Sequence, residues 1–338
     1  MTATNISYQR EFFTQLSDRF GKKGEMIQAM EEHLHVGQDA VYRRIRGETP
    51  LTADEMISLA RRFNISLDRQ QKKHIPRMYY PMGASEVTSE MDYFDTMLER
   101  CELLVNLPDV KVDYATPELP FFYEFAMPTL LAYRTYVYGL TTWDFDKWKG
   151  TKFSPGLIDP RVKPTADRIL NIIYRFPGRE LWSAGILDVT LRRIKHGVEV
   201  GYLDDPAMID TIFKELEAII QHMEAMTAAG KRFAVDGNFN DDSPGFQVFH
   251  NEMTNTNSII LVSSSVESAV YTAFINPNYL ISTDKRVVSQ TKTWFDNLAS
   301  SSNSLNANSS KYTITFFNRL RKKVTDTKLQ IEVLNEVI

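Results

Sequence analysis

Three arginines, a glutamine, an aspartate and a tyrosine fall in the short stretch from Gln38 to Arg46, with Lys22 and Lys23 a little upstream. Their chemistry is hydrogen bonding rather than bond making. A carboxamide pairs bidentately with the edge of adenine, a guanidinium with guanine, and both guanidinium and ammonium groups with phosphate. A second set stands far along the chain, where Thr283-Asp284-Lys285-Arg286 and Ser300-Ser301-Ser302 flank one helical stretch and Arg319 lies on the next. Hydroxyls and an arginine at helix ends can cradle an anion, so Thr283, Arg286, Ser300, Ser301 and Arg319 form a candidate ligand site. The competing reading is local: Thr-Asp ahead of a helix ordinarily caps it, and a Ser run after one is ordinarily a loop.

Residues suited to bond making are not arranged for it. His33 and His35, beside Glu31 and Glu32, invite a metal reading, but positions two apart on a helix point away from each other. His196, His222 and His250 stand alone in the sequence. No Gly-x-Ser-x-Gly elbow, Gly-rich phosphate loop, His-Glu-x-x-His or His-x-Lys pair occurs. No enzymatic activity, cofactor or metal is expected.

Apolar spacing supplies the elements that would hold the first set. Ile27, Met30 and Leu34 share one helical face, Val41 and Ile45 another, and Ile57, Leu59, Ala60 and Phe63 a third. Three such stripes close one small core. The break between the first two comes at Leu34-His35-Val36-Gly37, where Gly37 relaxes the backbone near the next N-cap and Val36 turns inward. Gly47 stops the third helix and Pro50 forbids its continuation. Thr52-Ala53-Asp54-Glu55 opens a fourth as a capping box.

The segment Val36-Gly37-Gln38-Asp39-Ala40-Val41-Tyr42-Arg43-Arg44-Ile45-Arg46-Gly47, followed by Leu51, Leu59-Ala60 and Ile65-Ser66-Leu67, resembles the lambda-repressor/Cro-like (XRE-type) helix-turn-helix. The resemblance covers about residues 9 to 70, a fifth of the chain. It implies a sequence-specific transcriptional regulator whose third helix enters the major groove of double-stranded DNA. Position by position it puts Gln38, Asp39, Tyr42 and Arg43 at base edges and Arg44 and Arg46 at phosphates. The family often has a Gln near the start of helix two that braces a backbone contact. Here Met26 or Ile27 holds that place, and Lys22 and Lys23 are the substitute phosphate grip. Small helical domains of this shape also dock proteins, so the alternative is a non-catalytic interaction scaffold.

Charge is distributed in keeping with the first reading. Through Tyr80 there are 13 Lys and Arg against 10 Asp and Glu, and 26 against 33 in the remainder. So small an excess makes affinity depend on a few placed contacts and on two half-sites, which implies a homodimer on a palindromic operator. With 338 residues, 43% of them hydrophobic and 24% charged, the chain has room for two or three packed domains. The one cysteine, Cys101, excludes an intramolecular disulfide and cysteine-based zinc sites; its apolar setting reads as a packed core thiol in a reducing cytosol. No apolar run approaches the roughly 20 residues of a membrane span, and Met1-Thr-Ala-Thr-Asn lacks a signal segment. A cytoplasmic location away from membranes follows.

The expected fold is multidomain and mainly α. It comprises a helix-turn-helix domain of four to five helices over 1–75, a mainly helical linker or dimerisation region over 80–235, and an α+β sensor over 236–338. Gln70 to Pro76 reads as the linker. In the middle region, apolar spacing predicts a helix within 85–107, a strand at Val110–Tyr114, and a helix after Pro128 with Tyr133, Tyr136 and Tyr138 in the core, or else at a ligand cage or dimer seam. Pro206 to Ala228 carries the clearest stripe, from Ile209 to Met223, and is a candidate dimer helix. Beyond Gly237, the runs at Phe246, Ser258 and Ala269 predict an antiparallel meander, followed by helices at 286–299 and about 311–324. This order of elements is similar in layout to phospholipase-D-like sensory folds appended to bacterial regulators. A small-molecule effector is the partner that similarity implies.

Overall fold

In the computed structural model, the structure describes residues 8–63, 65, 67, 77–80, 87–235, 237–252, 256–275, 277–306 and 310–337. The chain divides into two compact units, Met1–Pro76 and Arg77–Ile338. The expected linker, Gln70 to Pro76, lies outside the described residues.

Among the described residues the first unit holds four α-helices: α1 (Tyr8–Ser17), α2 (Lys23–Leu34), α3 (Gln38–Arg46) and α4 (Ala53–Arg62). Phe12, Phe13 and Leu16 from α1 meet Met26, Ile27 and Met30 from α2, Val41 from α3, and Leu59 and Ala60 from α4 in one buried cluster. The expected stripes therefore close, with one exception: Ile57 is 41% exposed. Gly47 is left-handed (φ 78°) and donates to the carbonyls of Arg43 and Arg44. Thr52 and Glu55 form both bonds of the capping box. The turn between α2 and α3 differs from expectation. Its left-handed residue is His35 (φ 54°), while Gly37 sits at φ −73°, which any residue adopts.

The second unit is mixed α/β. Helix makes up 57% of the described residues, yet among them the unit is organised by a seven-stranded sheet in the order β6-β5-β4-β1-β2-β3-β7. The strands are β1 (Lys111–Ala115), β2 (Gly178–Trp182), β3 (Phe246–His250), β4 (Ile259–Ser263), β5 (Ser268–Ala273), β6 (Tyr279–Ser282) and β7 (Asn303–Ser304). β1, β2 and β3 run parallel; β4, β5 and β6 form an antiparallel meander, and β7 pairs antiparallel with β3. The meander is thus shifted by one strand: the run at Phe246 joins the parallel centre. β1 and β2, from the region expected to be a helical linker, pair directly with β4 and β3. The expected division near residue 236 therefore falls inside one unit. Gly178 is required where β2 begins, because a Cβ there would lie 1.9 Å from the Val112 carbonyl oxygen.

Alternation along the central strands separates two faces. Ala115 and Leu181 pack with Phe295 and Ala299 of α11 (Lys285–Ser300). Tyr114, Trp182, Phe246 and Val248 face the main core with α5 (Glu90–Val105), α6 (Phe121–Ala126), α7 (Pro128–Thr141), α8 (Val162–Ile173), α9 (Asp188–Glu199), α10 (Pro206–Ala229) and α12 (Lys311–Val337). The α10 stripe, Ile209 through Met223, is buried in that core with Tyr133 and Tyr136, and Tyr138 is buried as well. Neither can serve as a dimer seam, nor the tyrosines as an open cage.

Candidate nucleic-acid interface

α3 is a nine-residue rod held at its C-terminal end and along one face. Val41 is fully buried beneath it, and the Gly47 turn satisfies the last carbonyls. Gln9 of α1, a residue without a sequence signal, adds a second brace. Its Nε2 donates to the carbonyls of Arg44 (2.7 Å) and Thr49 (2.8 Å), and its Oε1 accepts from the Leu51 N–H (2.8 Å).

The opposite face of α3 carries Gln38, Asp39, Arg43 and Arg46, all exposed, and half-buried Tyr42. Gln38 makes no side-chain hydrogen bond among the described residues. Arg43 reaches back one turn to Asp39 at 3.2 Å, an exposed pair that adds little stability and opens readily. Arg46 pairs with Glu48 through two bonds, of 2.6 and 3.0 Å; the hydrogen bond holds the Glu48 carboxyl below its ordinary value. Lys22 and Lys23 are exposed at the start of α2, where the helix dipole favours anions. The Lys23 ammonium stands 6.0 Å from the Tyr42 ring centroid, which brings Lys23 beside the α3 face. Met26 and Ile27 are core residues.

Arg44 departs from the outward placement. Its side chain is 14% exposed, and Nη2 donates to Glu55 Oε1 at 2.7 Å while Nη1 donates to the Ala40 carbonyl at 3.3 Å. Burial pushes the Glu55 carboxyl up, but Arg44 and the Thr52 N–H and hydroxyl outweigh it and hold the group below its ordinary range. Arg44 thus ties α3 to α4 from the inner side and is not placed for phosphate.

The second candidate set does not converge. Thr283 and Arg286 are exposed at the start of α11, while Ser300 and Ser301 lie at its end, roughly 22 Å away at 1.5 Å per residue. Asp284 caps the helix by accepting the Arg286 N–H (2.8 Å), and the Ser300 and Ser301 hydroxyls donate to the Asn297 and Leu298 carbonyls. Arg319 lies 4.0 Å from Glu252. The local reading of these residues is the one the geometry supports.

His250, isolated in sequence, is not isolated in space. At the end of β3, its Nε2 bonds Glu252 Oε1 and its Nδ1 bonds the Tyr312 hydroxyl, each at 2.6 Å. Asn303 donates to the same hydroxyl and the Ala184 N–H to the same carboxylate. All of these groups are partnered within the protein, so the cluster latches α12 to β3. His33 bonds the Ser58 hydroxyl at 2.7 Å. Among the described residues no group of three His, Cys, Asp or Glu is placed to hold a metal ion, and no helix is long and apolar enough to cross a membrane.

Compared with known proteins, the chain matches no family model, no curated protein and no solved structure.

Proposed function

We propose that the N-terminal unit is a helix-turn-helix that reads double-stranded DNA, and that the protein is a non-catalytic, homodimeric transcriptional regulator of the cytoplasm. The observation that carries this reading is the two-sidedness of α3. One side is clamped by Val41, Gln9 and Arg44; the other presents Gln38, Tyr42 and Arg43 with Lys23 alongside. Rigid polar presentation of this kind suits base edges in a major groove, with Lys22, Lys23 and Arg46 gripping the flanking phosphates. Asp39 occupies the same edge, where an acidic side chain accepts from the cytosine amino group. The larger unit supplies dimerisation and an effector site, and an effector that prefers one dimer geometry shifts half-site separation and with it operator affinity.

Selection of duplexes from a random pool at low salt, with the solution mass measured in parallel, tests the reading. Symmetric half-sites, a doubled mass and affinity that falls steeply with added salt are expected. Failure to retain any duplex refutes it. Binding to protein partners that is indifferent to salt would favour the docking scaffold instead.

A further inference from the structure

Between α5 and the sheet face formed by β1, β4 and β5 lies a cavity of about 180 Å³, wholly within the second unit. Met97, Val112, Phe122, Ile260 and Val262 supply an apolar wall. Cys101 adds a thiol that burial pushes up to about 12, so it is neutral at physiological pH. Five tyrosines line the same space, Tyr80 and four more at 93, 114, 271 and 279. Burial pushes the ionisation of those four phenol groups upward, so all four are neutral donors and acceptors. The hydroxyls of Tyr114 and Tyr279 stand 3.5 Å apart, while those of Tyr93 and Tyr271 make no hydrogen bond among the described residues.

Two charged residues of α5 line the cavity, and only one is committed. Asp92 Oδ2 accepts from the N–H groups of Thr88 (2.9 Å) and Ser89 (2.8 Å) and from the Thr88 hydroxyl (2.8 Å), so its carboxylate caps the helix. Arg100, two turns further on and half-buried, makes no ion pair or hydrogen bond among the described residues. A guanidinium set in an apolar wall without a partner is costly, and its planar fork fits a carboxylate. Size narrows the occupant. A cavity of roughly 150 Å³ holds benzene, and sites for drug-sized ligands run to about 300–1,000 Å³, so this one holds a single ring with a short arm.

We propose that the cavity binds a small aromatic carboxylic acid. Its ring lies against Phe122 and the phenols, and its carboxylate pairs with Arg100. The acid is the effector in the function proposed above, and the inference rests on that reading for its consequence at an operator, though not for binding itself.

Calorimetry on the full chain without DNA tests it, using phenylacetate, benzoate, 4-hydroxyphenylacetate and indole-3-acetate as probes, with phenylacetamide as the neutral isostere and decanoate as the aliphatic acid. At least one aromatic acid is expected to bind with one site per chain. Its amide, and the acid with Arg100→Gln, should bind at least tenfold more weakly. Arg100→Gln removes no ion pair or hydrogen bond among the described residues, so a melting temperature no lower than the parent's accompanies the loss. The proposal is overturned if none of the four acids binds at millimolar concentration, if amide and acid bind alike, if Arg100→Gln leaves affinity unchanged, or if decanoate outcompetes every aromatic acid. A positive titration from a protein that retains no duplex would leave the cavity assigned and refute the DNA reading; the converse result would do the opposite.

Discussion

The Gln9 side chain donates to the main-chain carbonyl of Arg44 at 2.7 Å, so the first helix of the chain holds the end of the third. Its amide also bonds Thr49 and Leu51, satisfying two carbonyls and one N–H that the helix end and the loop after it would leave open. Replacing Gln9 with Ala strands these part-buried groups and should destabilise the N-terminal unit by about 1–3 kcal/mol. Amide hydrogen exchange across residues 44 to 51 reads the effect; unchanged protection there would show that the brace is dispensable.

The neighbouring arginines should separate cleanly. Arg43→Ala removes an exposed group, so stability should hold while duplex affinity falls by about 1–3 kcal/mol if the side chain reads a base. Arg44→Ala should do the reverse first: it breaks the bond to Glu55 and costs about 1–2 kcal/mol of stability in the N-terminal unit. Denaturant titration and duplex titration of both variants decide the matter, and equal stability loss in the two would contradict the inward placement of Arg44.

Acid should loosen the same unit through Glu55. Its folded pKa lies below the ordinary 4.5, so near that value the unfolded chain binds more protons than the folded one and stability rises with pH. The contribution is therefore complete above the unfolded pKa and is lost as pH falls through the folded one. Melting followed from about pH 7 down to about pH 3 should show this slope. It should flatten in Glu55→Gln, which keeps the reciprocal cap to Thr52 but cannot titrate.

In the larger unit, Arg232 and Glu180 form a fully buried pair at 2.9 Å, with Tyr123 and Trp182 also donating to the carboxylate. Burial raises the Glu180 pKa even against the attraction of Arg232. Arg232→Met leaves that carboxylate uncompensated and should cost about 3–5 kcal/mol, of which the double variant with Glu180→Gln recovers a part. Urea midpoints measure both, and a single variant as stable as the parent would rule out a structural role for the pair.

Local order was readable in the residues alone. The apolar rhythms at three and four positions marked α2, α3, α4, α7, α10 and α11, Thr52 with Glu55 announced its capping box, and Gly47 announced its stop. These signals act within one or two turns of chain, where spacing and geometry are directly linked. β2 left no such mark, because Gly178-Arg-Glu-Leu-Trp182 lies in the middle of a sheet covered on both faces and buries Glu180 as well as Leu181 and Trp182. Tertiary structure alone decided that β1, β2 and β3 would lie side by side, that Arg44 would turn inward to Glu55, that His250 would meet Tyr312, and that Arg100 would face an apolar cavity. Each of these depends on partners far apart in the chain or on packing against other elements. Side-chain periodicity says which face is apolar but carries no term for what that face will meet.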